Sequence, residues 1–173
     1  ALVASGAVPI ASANDGGGST RIPAACCGLV GLKSSRGRLV HSDGSNLLPI
    51  NIVCEGVVTR SVRDTAAYYA ECEKYFKNKS LPDLGHVQSA SSRRLKVLYF
   101  ENNQKGRLGH QDQDTFNTIK ENMKLMESLG HQVDILPFPI EIEDCIDAFL
   151  GYYGFLGTAQ VYFKKDINKD RIE

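Results

Sequence analysis

The sequence is organised around three consecutive glycines that stand directly before a serine, in the stretch Asp15-Gly16-Gly17-Gly18-Ser19-Thr20-Arg21-Ile22-Pro23-Ala24. The preceding segment, 8–13, is short and apolar, which predicts a buried strand. Pro23 predicts the start of a helix, because a helix does not need the missing N–H of its first residues. The glycine block is therefore expected in a turn between a strand and a helix, where glycine adopts backbone conformations that other residues avoid.

Two phosphate-binding interpretations of this block fail on spacing. A nucleoside-phosphate loop needs the pattern G-x-x-x-x-G-K-[ST], and neither 16–19 nor 28–34 has it. A dinucleotide loop needs G-x-G-x-x-G, and Arg21 stands where the third glycine belongs.

A third interpretation is a serine nucleophile beside an oxyanion hole. Consecutive glycines can turn their N–H groups toward one point, and such donors stabilise charge on the oxygen of an attacked carbonyl. The alternative is a tight turn in which Ser19 caps the following helix. The residues alone leave both interpretations open, and there is no G-x-S-x-G elbow of the kind that builds another large hydrolase fold.

The rest of the chain predicts an α/β protein. Ser61 is a candidate N-cap for a helix that runs to about Phe76. Residues 77–94 are polar and contain Pro, Gly and a serine cluster, which indicates a loop or linker. A strand, a helix and a strand then follow in an order typical of a crossover unit packed on a sheet, and a last helix is expected after them. These elements cover residues 95–100, 112–129, 132–136 and 143–163.

Composition excludes several classes of protein. The chain has 173 residues and balances 20 Lys and Arg against 20 Asp and Glu, so it is not a default nucleic-acid binder. Its apolar runs are too short to span a bilayer. Five cysteines are an odd number, which favours reduced thiols and a cytoplasmic location. Cys26 and Cys27 lack the spacing of metal ligands and are expected to pack as small apolar side chains.

The glycine block and the segments after it resemble the amidase signature family. The similarity rests on the stretch that begins at Asp15 and extends over Cys27-Gly28-Leu29-Val30-Gly31-Leu32-Lys33, Gly37-Arg38 and Gly56-Val57-Val58-Thr59-Arg60-Ser61-Val62-Arg63-Asp64. It implies an α/β fold with a mixed β-sheet flanked by helices. Because the chain has no initiator Met and opens in what reads as the end of a helix, we expect residues 1–173 to be an internal fragment of a single amidase domain.

The resemblance also implies a mechanism and the residues that perform it. Ser19 would be the nucleophile, with the oxyanion hole formed by backbone N–H groups of Gly16, Gly17, Gly18 and Ser19. A lysine would take the proton through a serine in a cis peptide, and both of those residues belong to an upstream region that these 173 residues do not contain. The fragment alone is therefore expected to be inactive. Lys33 aligns with a downstream signature residue and is expected to be structural.

Asp15 and Arg21 flank the predicted nucleophile and are expected to support it. They could contact substrate directly, but mutual charge pairing that shapes the loop is favoured.

The expected partner is a small-molecule amide substrate. No metal, organic cofactor, nucleic-acid partner or membrane span is expected, and a homodimer is left as an open alternative. Ile22 argues against the tRNA-dependent amidotransferase subunit, and the motifs look most like the subgroup of 6-aminohexanoate-cyclic-dimer hydrolases. A non-catalytic homologue that serves as a binding or scaffolding protein, and an amidotransferase-type subunit, are the alternatives.

Overall fold

The computed structural model of the protein describes residues 1–41, 48–101, 112–137 and 142–163, and the chain divides into two units, Ala1–Ser91 and Ser92–Glu173. Residues 34–51 are rich in Ser, Gly, Asn and Asp, which predicts a surface loop, and residues 42–47 of that segment lie outside the described residues. The first unit contains β1 (Ile10–Asp15), α1 (Arg21–Cys26), β2 (Val30–Gly31), β3 (Cys54–Thr59) and α2 (Val62–Tyr75).

Strand β3 is the centre of the first unit. It pairs antiparallel with β1 on one side and with β2 on the other, in a register that sets Thr59 opposite both Ile10 and Val30. Val57 and Thr59 alternate onto one face of β3 and are buried, and the Thr59 hydroxyl lies 2.8 Å from the Thr65 hydroxyl of α2. The opposite end of the β1–β3 pair sets Asp15 against Cys54, so β1 delivers Asp15 to the point where the glycine block begins.

Helix α2 packs on β3 and begins where the sequence predicts. The Ser61 side chain accepts a hydrogen bond of 3.1 Å from the Asp64 N–H, which satisfies one of the free amides of the first turn. Thr65 and Tyr69 stand one turn apart on the buried face. Burial of the Tyr69 ring removes water from its hydroxyl and raises its pKa above the ordinary value.

The polar segment predicted as a loop or linker, residues 77–94, contains no helix or strand, and the division between the two units falls within it. Its first half is fastened to the first unit. The Glu73 carboxylate accepts hydrogen bonds from the N–H groups of Leu84 and Gly85, and Arg38 donates to both Glu73 and the Pro82 carbonyl.

The second unit contains β4 (Lys96–Glu101), α3 (Gln113–Ser128), β5 (Gln132–Pro137) and α4 (Ile142–Phe163). The crossover prediction is confirmed, since β4 and β5 pair parallel and α3 packs against β5. Asp112 caps α3 by accepting from the Thr115 N–H at 2.9 Å. Gly130 ends the helix with a φ of +85°, a left-handed conformation that glycine adopts without steric cost.

The predicted α/β class is confirmed. The parallel and antiparallel strand pairs lie in two separate sheets. The described strands form an antiparallel three-stranded sheet in the first unit and a parallel pair in the second. Among the described residues, no helix is both long enough and apolar enough to cross a membrane.

Candidate active site

The candidate site is the glycine loop, defined here as residues 16–19, between the end of β1 and the start of α1. The chain needs only five residues, 16–20, to turn from strand to helix. Gly18 has a φ of +132°, a backbone conformation that side chains strongly disfavour. A methyl group at Gly18 would also lie 2.5 Å from Ile22 Cδ1, but Ile22 is exposed and its end can move aside, so it is the backbone conformation that requires glycine here.

Asp15 is the anchor of this loop. Its side chain is only 1% exposed and receives a bidentate ion pair from Arg21, with Nε–Oδ2 at 2.8 Å and Nη2–Oδ1 at 3.0 Å. The N–H groups of Thr20 and Arg21 point at the same carboxylate, at 3.4 and 3.3 Å. One buried carboxylate therefore closes the loop by binding the main chain where α1 begins.

The ionisation of Asp15 follows from these contacts. The hydrogen bonds from the Arg21 side chain hold the pKa of Asp15 far below its ordinary value, against the opposing effect of burial, and the nearby charge of Lys33 adds to the lowering. The same pairing raises the pKa of Arg21. Asp15 is thus a permanent anion at neutral pH, and it acts as a structural charge instead of a proton carrier.

Lys33 reaches the other side of the same residue. Its Nζ donates to the carbonyl oxygens of Asp15, of Gly16 at 3.4 Å and of Ile52 at 3.1 Å, and lies 3.4 Å from the Asp15 carboxylate. The expectation that Lys33 is structural agrees with these contacts. The ammonium group joins the glycine loop to the segment that leads into β3.

The Ser19 side chain is exposed, and it makes no hydrogen bond with any part of the chain that the structure describes. It does not cap α1, because the N-cap position is Thr20 and the amides at that helix end donate to the Asp15 carboxylate. Within the described ranges, the N–H groups of Gly16, Gly17, Gly18 and Ser19 likewise have no hydrogen-bond acceptor. A free hydroxyl therefore lies beside a run of free main-chain donors.

The segment after the loop fits α1 closely against β2. A methyl group at Gly31 would lie 2.7 Å from both the Thr20 carbonyl oxygen and Ala24 Cβ, so only glycine allows this approach. The packing prediction for Cys26 and Cys27 is wrong, since both thiols are exposed; α1 turns Ala24 inward, and the two cysteines that follow fall outside that buried side. Among the described residues no cluster of His, Cys, Asp and Glu could hold a metal ion.

Sequence reasoning found the loop but missed part of its support. The hydrogen bonds from Lys33 to carbonyls 17 to 19 residues away have no local sequence signal. Thr20, which is 1% exposed with its hydroxyl lacking a partner among the described residues, also went unnoticed. A shallow cavity of about 530 Å³ borders Gly16 and is lined by Lys33, Ile52 and Cys54 among others.

Comparison with known families decides the classification. The family model described as Amidase matches residues 1–172. The chain belongs to the amidase family. It is 47% identical over 161 residues to the protein named "Putative amidase AmiC" from Mycobacterium tuberculosis, an alignment that covers 93% of this chain and 33% of that protein. The chain thus spans about one third of the length of these curated relatives.

Other members of the amidase family are similar over parts of the chain. The 6-aminohexanoate-cyclic-dimer hydrolase of Paenarthrobacter ureafaciens is 46% identical over 71 residues, which is 39% of this chain and 14% of that protein. A solved structure of 6-aminohexanoate cyclic dimer hydrolase matches with a TM-score of 0.54 and 27% identity, over 79% of this chain and 30% of that one. A bacterial aryl acylamidase of the amidase signature family shares the fold at a TM-score of 0.71 and 24% identity, over 94% and 34%.

Proposed function

We propose that this chain is part of an amide hydrolase that cleaves non-peptide C–N bonds, with Ser19 as the nucleophile and the amides of the glycine loop as the oxyanion hole. One observation carries the proposal. An exposed hydroxyl adjoins four consecutive main-chain N–H groups that no described residue satisfies, in a chain of the amidase family. Unsatisfied donors held in place are suited to stabilise charge that develops on a carbonyl oxygen, because they need no reorganisation when it forms.

The proposed reaction has two stages. The Ser19 oxygen forms a bond to the amide carbon, its proton passes to a base, and the carbonyl electrons move to the oxygen held by the loop amides. When the tetrahedral adduct collapses, the C–N bond breaks and the nitrogen leaves with a proton, so that an ester of Ser19 remains. Water then attacks this ester, and the acid is released as the Ser19 hydroxyl is restored.

The base in this proposal is outside the described site. Lys33 is poorly suited to the role, because its Nζ already donates to main-chain carbonyl oxygens and a base must offer a free lone pair. Following the family resemblance, we propose that a lysine acts through a bridging serine, and that neither belongs to these 173 residues. The 173-residue chain alone is then not expected to turn over substrate.

The substrate class follows from the relatives and is part of the proposal. Two solved structures similar to this chain are named as an aryl acylamidase and a cyclic-dimer hydrolase, and each name describes a small carboxylic amide. We therefore propose a small-molecule amide and a reaction that requires no cofactor, because the serine and the loop amides supply the nucleophile and the electrostatic stabilisation.

An alkyl fluorophosphonate tests the assignment of the nucleophile. The natural protein that contains this sequence is incubated with the probe, and the adduct is located by peptide mass spectrometry. We expect labelling at Ser19, no labelling in Ser19→Ala, and unchanged labelling in Ser80→Ala, an exposed loop serine of the same unit. A folded natural protein that takes no label at Ser19 and hydrolyses no amide would instead be a binding or scaffolding homologue.

A further inference from the structure

Lys33 fixes the direction of two successive peptide groups in the glycine loop. Its Nζ donates to the carbonyl of Asp15 and, at 3.4 Å, to the carbonyl of Gly16. The carbonyl of Asp15 belongs to the peptide group that carries the Gly16 N–H, and the carbonyl of Gly16 belongs to the group that carries the Gly17 N–H. Both peptide groups are therefore held by one cation.

The geometry of the peptide group fixes where the Gly16 and Gly17 N–H groups point. A trans peptide group is planar, so its N–H points opposite to its C=O. With both carbonyls directed at Lys33, the N–H groups of Gly16 and Gly17 are directed away from it, toward the same side. Glycine backbones have the freedom to rotate these groups elsewhere, and nothing in their own side chains opposes it.

We propose that Lys33 is a positioning residue for the oxyanion hole, which aligns the Gly16 and Gly17 N–H groups by binding the carbonyls of Asp15 and Gly16 on the opposite side of the same peptide groups. This inference rests on the proposed function, since it assigns a partner to the same donors. A compact ammonium with three hydrogens suits the task, because the carbonyl of Ile52, at 3.1 Å, fastens the group to the segment leading into β3. A cation on a carbonyl oxygen also polarises that peptide group and strengthens its N–H as a donor.

The far end of the loop is held by a different group. The Asp15 carboxylate binds the N–H groups of Thr20 and Arg21, which follow the nucleophile. Lys33 thus controls the first two donors, and Asp15 controls the residues directly after Ser19. This division predicts that loss of Lys33 impairs stabilisation of the oxyanion more than it impairs folding of the loop.

Saturation kinetics with the fluorophosphonate probe test this role in the natural protein. The maximal labelling rate reports the transition state, whose phosphoryl oxygen carries the developing charge, and the half-saturating concentration reports binding. We expect Lys33→Met to lower the maximal rate about 100-fold, as removal of an oxyanion donor does, with an unchanged half-saturating concentration. Lys33→Arg should restore part of the rate. Lys74→Met removes a lysine that pairs with Glu71 on the exposed face of α2, and it should leave the maximal rate unchanged.

The pH profile separates positioning from proton transfer. With another group as the base, the rate of labelling still rises with pH in Lys33→Met; a rate that no longer depends on pH would make Lys33 the proton carrier and overturn the inference. Retention of the wild-type maximal rate by Lys33→Met, while Ser19 is labelled, would also overturn it. If the wild type takes no label, the proposed function fails and this inference with it. If circular dichroism shows that Lys33→Met is unfolded, the maximal labelling rates of wild type, Lys33→Arg and Lys33→Gln are compared instead. We expect the rate to decrease in that order, and equal rates would contradict the positioning role of Lys33.

Discussion

The two units of the chain differ in how their polar groups and cores are arranged. Every fully buried residue that the structure describes belongs to the first unit, including the polar side chains Asp15, Thr20, Thr59 and Thr65. Within the described part of the second unit no residue is fully buried, and Leu98 and Ile135 on its parallel strands are 45% and 56% exposed. The first unit thus holds its loop with buried polar contacts between distant residues, whereas the second is built from locally signalled elements.

The largest expected effect is the loss of the buried charge in the first unit. Asp15→Asn leaves the half-exposed Arg21 and the partly buried Lys33 facing an amide, and the loss of charge-assisted hydrogen bonds to the buried carboxylate should lower the free energy of unfolding by about 2–3 kcal/mol. The matched change in the second unit is Asp134→Asn, which removes an exposed ion pair with Lys96 at 3.0 Å and should cost clearly less, because solvent screens such a pair. Urea denaturation of the two variants gives both values. Equal losses of unfolding free energy in the two variants would contradict the claim that buried polar contacts stabilise only the first unit.

The difference between the units also explains what the sequence could predict. Helix α2 begins at its predicted cap, Ser61, and α3 begins directly after Asp112, the first residue of the predicted helix, because a capping side chain acts within three residues of the helix start. Their ends, and the crossover of the second unit, follow equally local patterns. The type of each element in the second unit was therefore predictable.

The frame of the candidate site is not local in this way. Helix α1 begins at Arg21, ahead of the predicted start at Pro23, since the Asp15 carboxylate binds the Thr20 and Arg21 amides. The short strand β2 and the carbonyl contacts of Lys33 depend on pairing with distant residues. A motif located the loop and its serine, but the side chains that hold them could be found only from the structure.

Replacement of a glycine by alanine should change the stability of the protein in opposite directions in the two units. Gly18→Ala forces a side chain onto a φ of +132°, which should destabilise the protein by about 2 kcal/mol and reduce labelling of Ser19. Gly151→Ala, in helix α4 with open space around the added methyl, should stabilise by up to about 1 kcal/mol. Thermal denaturation measures both changes. A neutral Gly18→Ala would show that the loop tolerates a side chain.

A smaller effect is expected on acidification. The pKa of Asp15 is lowered on folding, so its stabilisation is fully present above the ordinary value of 3.8 and is lost as the pH falls toward the folded pKa. Between pH 7 and pH 3 the difference in unfolding free energy between wild type and Asp15→Asn should therefore shrink by about 1 kcal/mol. Urea titrations at the two pH values check this sign. A difference that grows on acidification would mean that Asp15 is not the buried anion described.

The most direct test of the account is the state of the loop amides when Ser19 carries an adduct. In ¹H–¹⁵N spectra of the natural protein, formation of the fluorophosphonate adduct should move the amide protons of residues 16–19 downfield, because they begin to donate to the phosphoryl oxygen. Lys33→Met should reduce this movement for Gly16 and Gly17 in particular. An adduct on Ser19 that leaves all four signals where they were would contradict the claim that these amides receive the developing charge.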